Sequence, residues 1–244
     1  MKTWIAFMNI LMKDMRSYYL KPPNISWGLL FPVAWTLMFF LRSPVALNIR
    51  ELLPGVISLS ILFGTTSMLA VTITFERRSR SFERLLLAPI SLNLLMLAKT
   101  LGAILFGVIN AFVPVIFASF MTTLSGINWL ILLSSIILIA ITSTFLGLFI
   151  AVSVSQAFEA QTFSNFFRFP MLFLCGLFIP IQEMPVVIRP LSYILPLTYG
   201  VDNLKTAVNN NGYLAVPFNF LLLFIFSVLL FSYSMSNVNK KWLS

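Results

Sequence analysis

The chain is predicted to be an all-α integral membrane protein with six transmembrane helices. Three observations support this fold class: the composition, the apolar stretches and the placement of the basic residues. Of its 244 residues, 59% are hydrophobic and only 9% are charged, whereas about 25% of the residues of a soluble domain are charged. A water-soluble fold cannot bury so much apolar surface, so lipid is the expected solvent for most of the chain.

Six apolar stretches are candidates for membrane spans, because a bilayer core about 30 Å thick requires roughly 20 apolar residues per helix. They cover residues 25–41, 52–74, 92–124, 129–152, 163–179 and 214–235. The third is longer than one straight crossing requires, so its ends should protrude or lie at the interface. Pro32 and Pro170 in the short first and fifth stretches predict kinks. No polar linker divides the chain, so residues 1–244 should form a single transmembrane domain.

The basic residues predict the orientation of these spans. An even number of spans places both termini on one side, and that side then carries twelve of the 16 Lys and Arg residues. Arg168 is counted among the twelve. Cytoplasmic loops of membrane proteins are enriched in Lys and Arg. We therefore expect a multi-pass protein of the plasma or inner membrane with both termini in the cytoplasm.

The N-terminal segment, residues 1–22, has the pattern of an amphipathic helix. At 100° per residue, Trp4, Met8 and other apolar residues fall on one face, and Lys13 and Arg16 fall opposite. Such a helix lies in the membrane interface and contacts lipid headgroups. Two interpretations are open, a plain surface anchor and a docking surface for a cytoplasmic partner, and one helix can serve both purposes.

Residues 76–89 follow the second span and are predicted to form a second, shorter amphipathic helix that Pro89 ends. A loop that only supplied positive charge would not need mixed Glu and Arg residues beside an apolar face. The simpler alternative is a solvated loop that obeys the charge rule. The functional interpretation is a lever that seats in a groove of a partner protein, with Phe82 and its apolar neighbours providing most of the grip. The candidate contacts are Glu76, Arg77, Arg80, Phe82, Glu83, Arg84, Leu86 and Pro89.

Residues 180–207 are too apolar for an ordinary aqueous loop. They are also too broken for a full span, since they contain four prolines, of which Pro180 is the first and Pro196 the last. Short half-helices that dip back from the outer surface satisfy both constraints. Non-helical backbone at membrane depth is tolerated only where protein shields it or where it lines a cavity. The segment is therefore predicted to lie beside a pathway or plug, and a loop packed on the bundle surface is the alternative.

Several classes of function lack their usual residues. The chain has no histidine and a single cysteine, Cys175, which excludes an internal disulfide, a His-ligated haem and a Cys/His zinc site. It has no GxxxxGK[ST] motif for a P-loop. The predicted midplanes of the spans contain no Asp, Glu, Lys or Arg, which disfavours a proton-driven carrier and a membrane hydrolase. No cofactor is expected on this chain, and no nucleic acid partner.

The motifs together resemble the membrane subunit of ABC-2 type transporters, and the resemblance covers nearly the whole chain. Glu76-Arg77, followed by Glu83, Leu85 or Leu86 and Pro89, is similar to the coupling-helix pattern of that family, although Arg80-Ser81 replaces the usual glycine-threonine pair. A more specific match follows the fifth span and would form an outer gate. It comprises Met184, Pro185, Pro196, Leu197, Thr198, Tyr199, Asp202, Leu204 and Lys205.

The resemblance implies six helices with both termini inside, an amphipathic interfacial helix, a coupling helix between spans two and three, and two short re-entrant helices between spans five and six. It also implies partners: ATPase subunits that bind ATP and Mg²⁺ on a separate chain, and a second permease chain that is identical or related. The expected function is a permease subunit, not itself an enzyme, of an ATP-driven exporter. Its substrate would be a hydrophobic or amphipathic drug-like compound, with a lipid-linked glycan as the next option. The alternatives are a non-transport assembly or anchoring subunit and an ion-coupled secondary carrier.

Overall fold

The computed structural model describes residues 2–21, 49–87 and 90–242, together with Leu30, Val33, Ala34 and Met38, but not the side chains at 2, 239, 241 and 242. The described residues form helices, turns and loops without a strand, which confirms the all-α class. Most of the first predicted span, with Pro32, lies outside the described residues, and so does Pro89. In chain order the α-helices are α1 (Lys2–Asp14), α2 (Ile49–Arg78), α3 (Ser81–Leu86), α4 (Leu92–Met121), α5 (Trp129–Ser153), α6 (Ala157–Leu174), α7 (Arg189–Ile194), α8 (Leu197–Asn209) and α9 (Val216–Trp242).

Four of the described helices are long and apolar enough to cross a membrane: α2, α4, α5 and the Val216–Val238 part of α9. The chain is therefore a multi-pass membrane protein, while the number six stays a prediction. Helix α4 is continuous over 30 residues, about 45 Å at 1.5 Å per residue. That length exceeds a bilayer core of about 30 Å, so part of α4 extends beyond the apolar region.

Helix α2 is the centre of the bundle. Its most apolar window is 89% buried, whereas the corresponding window of α9 is only 17% buried. Small residues let the neighbouring helices approach it closely. A Cβ atom on Gly147 of α5 would lie 2.4 Å from the carbonyl oxygen of Thr66, and one on Gly107 of α4 would lie 2.3 Å from Thr65 Cγ2. Small residues at helix contacts are typical of packing inside membranes, where backbones must approach for helices to associate.

Helix α6 begins earlier than hydropathy predicts because a capping box fixes its first turn. Gln156 and Glu159 satisfy each other's backbone N–H groups, so the helix covers 157–174 instead of 163–179. Arg168 lies 11 residues from the start of this helix and 6 from its end, with its guanidinium carbon 4.7 Å from the centre of the Phe63 ring. Phe63 is in the middle of α2. Arg168 therefore lies beside the middle of the central helix, whereas the distribution of basic residues in the sequence placed it with the cytoplasmic residues; its position relative to the membrane stays a prediction.

Two short helices, α7 and α8, precede α9, in the region where the family resemblance implies two. The end of α8 lies beside the starts of α2 and α5, because Arg50 Nε donates to the carbonyl of Val208 at 3.1 Å and the Asn128 N–H donates to the carbonyl of Ala207 at 2.9 Å. Since α3 follows the other end of α2, the segment 180–207 and α3 lie at opposite ends of the bundle. Whether α7 and α8 re-enter the membrane stays a prediction.

Candidate functional site

The predicted helix over 76–89 is instead the end of one helix, a turn and the start of another. Helix α2 continues to Arg78, and α3 begins at Ser81. The turn between them is tight, and Arg80 has a φ of 54°, a left-handed conformation that is uncommon for a residue other than glycine. The predicted start of the amphipathic helix at residue 76 is therefore wrong. The helix that contains the second apolar stretch does not end at residue 74 but continues through Glu76 and Arg77.

A cluster of four charged side chains joins three helices at this end of the bundle. We call it the inner charge cluster: Lys13 and Asp14 of α1, Glu76 of α2 and Lys99 of α4. Glu76 forms ion pairs with both Lys13 and Lys99. Asp14 completes the ring, with Oδ2 3.0 Å from Lys99 Nζ and Oδ1 3.1 Å from Lys13 Nζ. The cluster is electrically neutral and ties together elements that lie far apart in the sequence.

Burial gives the inner charge cluster its rigidity. The side chains of Glu76 and Lys99 are both 0% exposed, and only Lys13 reaches solvent. Buried charges are stable only when they are paired, because their desolvation is costly. Each member is therefore held by the others, and the cluster links the end of α1 to the end of α2 and the first turns of α4.

Lys13 lies in α1, outside the candidate membrane spans, and its side chain is partly exposed. Burial lowers the pKa of Lys13, but its bonds to Glu76 and Asp14 outweigh burial, so the pKa is raised from 10.5. Lys13 is therefore charged at every physiological pH. Arg16 lies one turn further along the chain, where it is exposed and available to a partner or to lipid headgroups.

Glu76 and Phe82 were predicted as contacts of the coupling region with a partner, and the structure finds both side chains buried. Glu76 is buried in the inner charge cluster, and Phe82 is only 3% exposed and belongs to the hydrophobic core of the chain. The apolar face of α3 is turned inward, because it covers the end of the bundle. Neither side chain can fill a groove of a partner in this conformation.

The outward face of α3 is polar and mostly cationic. Arg80, Glu83 and Arg84 are exposed, and Arg84 Nη2 donates to Ser81 Oγ at 3.1 Å. Leu86 is half-buried. Beside this face lies an open cleft of about 480 Å³ between α3 and the α5–α6 connection. It is lined by Arg77, Arg78, Phe82, Glu83, Leu86, Ser155 and Gln156.

At the opposite end, the signature residues of the segment 180–207 hold α7 and α8 together. Thr198 Oγ1 donates to the carbonyl of Ser192 at 2.5 Å, and the Tyr199 hydroxyl donates to the carbonyl of Tyr193 at 2.6 Å. Met184 is buried, with its sulfur 3.5 Å from Ser192 Oγ. Pro196 and Leu197 are buried at the start of α8, whereas Pro185 is exposed. These residues brace the segment against itself.

Asp202 and Lys205 join α8 to the segments on either side. Asp202 accepts hydrogen bonds from the N–H groups of Tyr213 and Leu214, at 2.8 and 3.0 Å, and from Asn219 Nδ2 at 2.8 Å. Lys205 Nζ donates to the carbonyl of Gly176 at 2.5 Å. The carboxylate therefore fixes the entry into α9, and the ammonium group fixes the exit from α6.

Lys205 also lines a polar cleft of about 520 Å³ at this end of the bundle, together with Arg50 and Glu51 at the start of α2. The remaining lining includes a run of three asparagines, 209–211. Among the described residues this is a hydrophilic recess next to the signature segment.

Sequence reasoning missed Asp14 and Lys99 as site residues. Their signal was present: Lys99 is an isolated charge at the beginning of an apolar stretch, and Asp14 is an acid in an otherwise cationic helix. What the sequence lacked was the pairing, because the bonded residues are 85 positions apart. A buried lysine requires an anionic partner, and only the fold identifies which one.

Comparisons with known proteins define the class to which these features belong. The family model of ABC-2 type transporters matches residues 5–209. The chain therefore belongs to the ABC-2 type transporter family, a family of membrane transport permeases.

Individual relatives are distant but cover much of the chain. It is similar to the inner membrane transport permease YadH of Escherichia coli K12, at 20% identity over 95% of this chain and 94% of that one. It is also similar to the probable multidrug ABC transporter permease YbhS of E. coli K12, at 25% identity over 67% of this chain and 44% of that one. A shorter match, 29% identical over 34% of this chain and 31% of the relative, is to nodulation protein J of Sinorhizobium fredii.

Proposed function

We propose that the chain is the permease subunit of an ATP-driven exporter and that a separate ATPase chain, with its ATP and Mg²⁺, works it from the cytoplasm. The observation that carries the proposal is the inner charge cluster beside the exposed cationic face of α3. An enzyme-driven lever needs a surface to receive force and a rigid joint to transmit it. Helix α3 offers the surface, and the cluster offers the joint.

In the proposed mechanism the ATPase binds the polar face of α3, chiefly through Arg80, Glu83 and Arg84. Each exposed ion pair contributes only about 0.2–1 kcal/mol, so binding should also use the cleft of about 480 Å³ beside α3. Movement of α3 pulls on the end of α2, and the inner charge cluster carries the movement to α1 and α4. Lys13 and Arg16 of α1 contribute to the same docking surface.

The proposal includes six spans with both termini in the cytoplasm, and a pair of permease chains, identical or related, with the pathway between them. In this arrangement α3 faces the cytoplasm and the segment 180–207 faces outward. Met184, Pro185, Pro196, Leu197, Thr198, Tyr199, Asp202 and Lys205 then brace the outer gate. The bonds from Asp202 and Lys205 to neighbouring segments support this assignment, because a gate must be mechanically connected to the helices that open it.

The proposed substrate is a hydrophobic or amphipathic compound, drug-like or a lipid-linked glycan. The spans are rich in Phe and Met, with 25 and 11 of these residues in the chain, and Met-rich apolar surfaces adapt to varied partners. The relative YbhS is named a probable multidrug ABC transporter permease, which agrees with the first of these options for that relative.

The proposal is tested by co-purification with the ATPase encoded beside this chain. Glu83→Arg should lower co-purification and stimulated ATP hydrolysis while the permease still inserts, because it reverses the charge at the centre of the docking face. Glu183→Arg is the matched control, since it makes the same change on an exposed residue at the opposite end of the bundle. It should bind the ATPase as the wild type does.

Two results would count against the proposal. Normal co-purification and turnover of Glu83→Arg would exclude α3 as the docking surface. Transport by the permease alone, driven by a proton gradient without ATPase, would instead favour a secondary carrier.

A further inference from the structure

Arg168 is a buried cation that has no counter-ion among the residues that the structure describes. It is only 2% exposed, and no ion pair of the described residues includes it. Its Nε and Nη2 atoms are buried without a hydrogen-bond acceptor in the part of the chain that the structure describes. The Phe63 ring, 4.7 Å away, covers one face of the guanidinium but accepts none of its in-plane N–H groups.

The position of Arg168 makes this arrangement costly. Phe63 lies 14 residues from the start of α2 and 15 from its end, which is about 21 Å from either end. Arg168 is therefore far from both ends of the central helix, in the apolar part of the bundle. Ionisable groups inside membrane bundles pair with another group or mark a substrate pathway.

The acids of this chain do not supply the missing counter-ion. All seven Asp and Glu residues lie in the described ranges. Asp14 and Glu76 belong to the inner charge cluster, Glu159 caps the start of α6, and Asp202 is bonded to the start of α9. The remaining three, Glu51, Glu83 and Glu183, are exposed near helix ends. A second copy of the same chain brings only the same seven acids, at the same ends of the bundle.

We infer that Arg168 binds the anionic group, a phosphate or carboxylate, of the amphipathic molecule that is transported. The inference rests on the proposed function and specifies its substrate class. Arginine presents a planar fork of N–H groups that pairs with both oxygens of a phosphate or carboxylate. The Nε and Nη2 atoms of Arg168, which have no acceptor among the described residues, are the two donors that such a fork uses.

The surroundings of Arg168 suit the apolar part of the same ligand. Phe163, Phe167 and Phe149 form an aromatic cluster, with ring centres 5.2 Å apart between the first two and 6.0 Å between the last two. Phe167 and Phe169 flank Arg168 in the sequence of α6, and Phe166 and Phe169 are exposed. An anionic head held at Arg168 would therefore lie beside apolar surface that can receive a hydrocarbon tail. Because Arg168 is enclosed in this conformation, the ligand enters when α6 moves away from α2.

The test is equilibrium binding of radiolabelled dodecyl phosphate to the full-length permease in phosphatidylcholine nanodiscs, alone and in complex with its ATPase supplied with ATP. We expect saturable binding by the wild type and a loss of affinity of at least tenfold in Arg168→Gln. Arg168→Lys keeps the charge but not the fork, so it should retain intermediate affinity and guards against a folding defect in the first variant. Lys240→Gln, which removes an exposed cation at the end of α9, should bind as the wild type does.

Two further arms distinguish the sources of the anion. Competition by phosphatidylglycerol in the nanodiscs would identify a bilayer lipid headgroup as a ligand, and competition by inorganic phosphate would identify the phosphate group alone as sufficient. Equal binding by wild type, Arg168→Gln and Arg168→Lys would overturn the inference, and so would the absence of dodecyl phosphate binding in every lipid. The latter result would point to an acid on a different permease chain. Normal co-purification of the ATPase with Arg168→Gln would show that such a failure leaves the proposed function intact.

Discussion

Replacing Lys99 with methionine removes the central cation of the inner charge cluster and preserves the length of the side chain. The variant leaves Lys13 to neutralise both Asp14 and Glu76, so one negative charge remains uncompensated. Both carboxylate side chains are at most 1% exposed, and breaking a buried ion pair by removing one partner costs about 3–5 kcal/mol. We expect a loss of stability of that size in Lys99→Met.

The double variant Lys99→Met/Glu76→Gln provides the internal control. It removes one charge of each sign and leaves the neutral pair Lys13 and Asp14. Replacement of a buried pair by neutral groups is often tolerated, so the double variant should be more stable than Lys99→Met alone. Lys240→Met, a loss of charge at an exposed site, should stay within about 0.5 kcal/mol of the wild type.

The assay is reversible unfolding of the purified permease in mixed micelles, read by tryptophan fluorescence, with ATP hydrolysis of the complex measured in parallel. The reasoning is refuted if Lys99→Met unfolds like the wild type. It is also refuted if the losses of stability in the single variants Lys99→Met and Glu76→Gln simply add in the double variant. Additivity would mean that Lys99 and Glu76 do not interact energetically.

Two further predictions concern packing and pH. Gly147→Ala places a Cβ atom 2.4 Å from the carbonyl oxygen of Thr66 and should destabilise the bundle by about 1–3 kcal/mol; the melting temperature checks this, and Gly55→Ala, whose nearest contact is 3.4 Å, should melt like the wild type or slightly higher. The raised pKa of Lys13 means that its bond to Glu76 contributes full stability below pH 10.5 and loses it as the pH rises through the higher folded-state value. Melting curves across this alkaline range should therefore show a step in the wild type that is absent from Lys13→Met.

The fold class and the family could be predicted from the sequence because they depend on composition and local pattern. An apolar run of sufficient length cannot be stable in water, whichever helix it packs against. The ordered signature from Met184 to Lys205 similarly identified the family, which the match over residues 5–209 confirms. The bonds that these residues make remain close to the segment itself, so a local pattern could represent them.

The coupling region shows what the sequence could not provide. Helical periodicity correctly placed Phe82 opposite Glu83 and Arg84, but it could not tell whether the apolar face turned toward a partner or toward the chain itself. The structure gives the second answer, because the end of the bundle would otherwise be uncovered. Likewise, no local pattern could pair Glu76 with residues 23 and 63 positions away.

The start of α6 was misplaced for a different reason. Hydropathy alone started the fifth span at residue 163, whereas the capping box of Gln156 and Glu159 starts the helix at Ala157. A carboxylate three residues after a capping side chain is a signal for a helix start, and its use would have moved the predicted start of the helix by six residues. The hydrophobic pattern was therefore outweighed by local backbone hydrogen bonding.

Site-directed cross-linking to the ATPase tests the central claim most directly. Glu83→Cys, in a background where the buried Cys175 is replaced by alanine, places a reactive thiol on the exposed face of α3, and Val187→Cys places one on a residue that is 88% exposed at the opposite end. With a thiol- and amine-reactive linker, an adduct with the ATPase should form from Glu83→Cys and not from Val187→Cys. An adduct from Val187→Cys alone would reverse the orientation of the bundle, and the absence of any adduct from Glu83→Cys in an ATP-hydrolysing complex would contradict the docking surface.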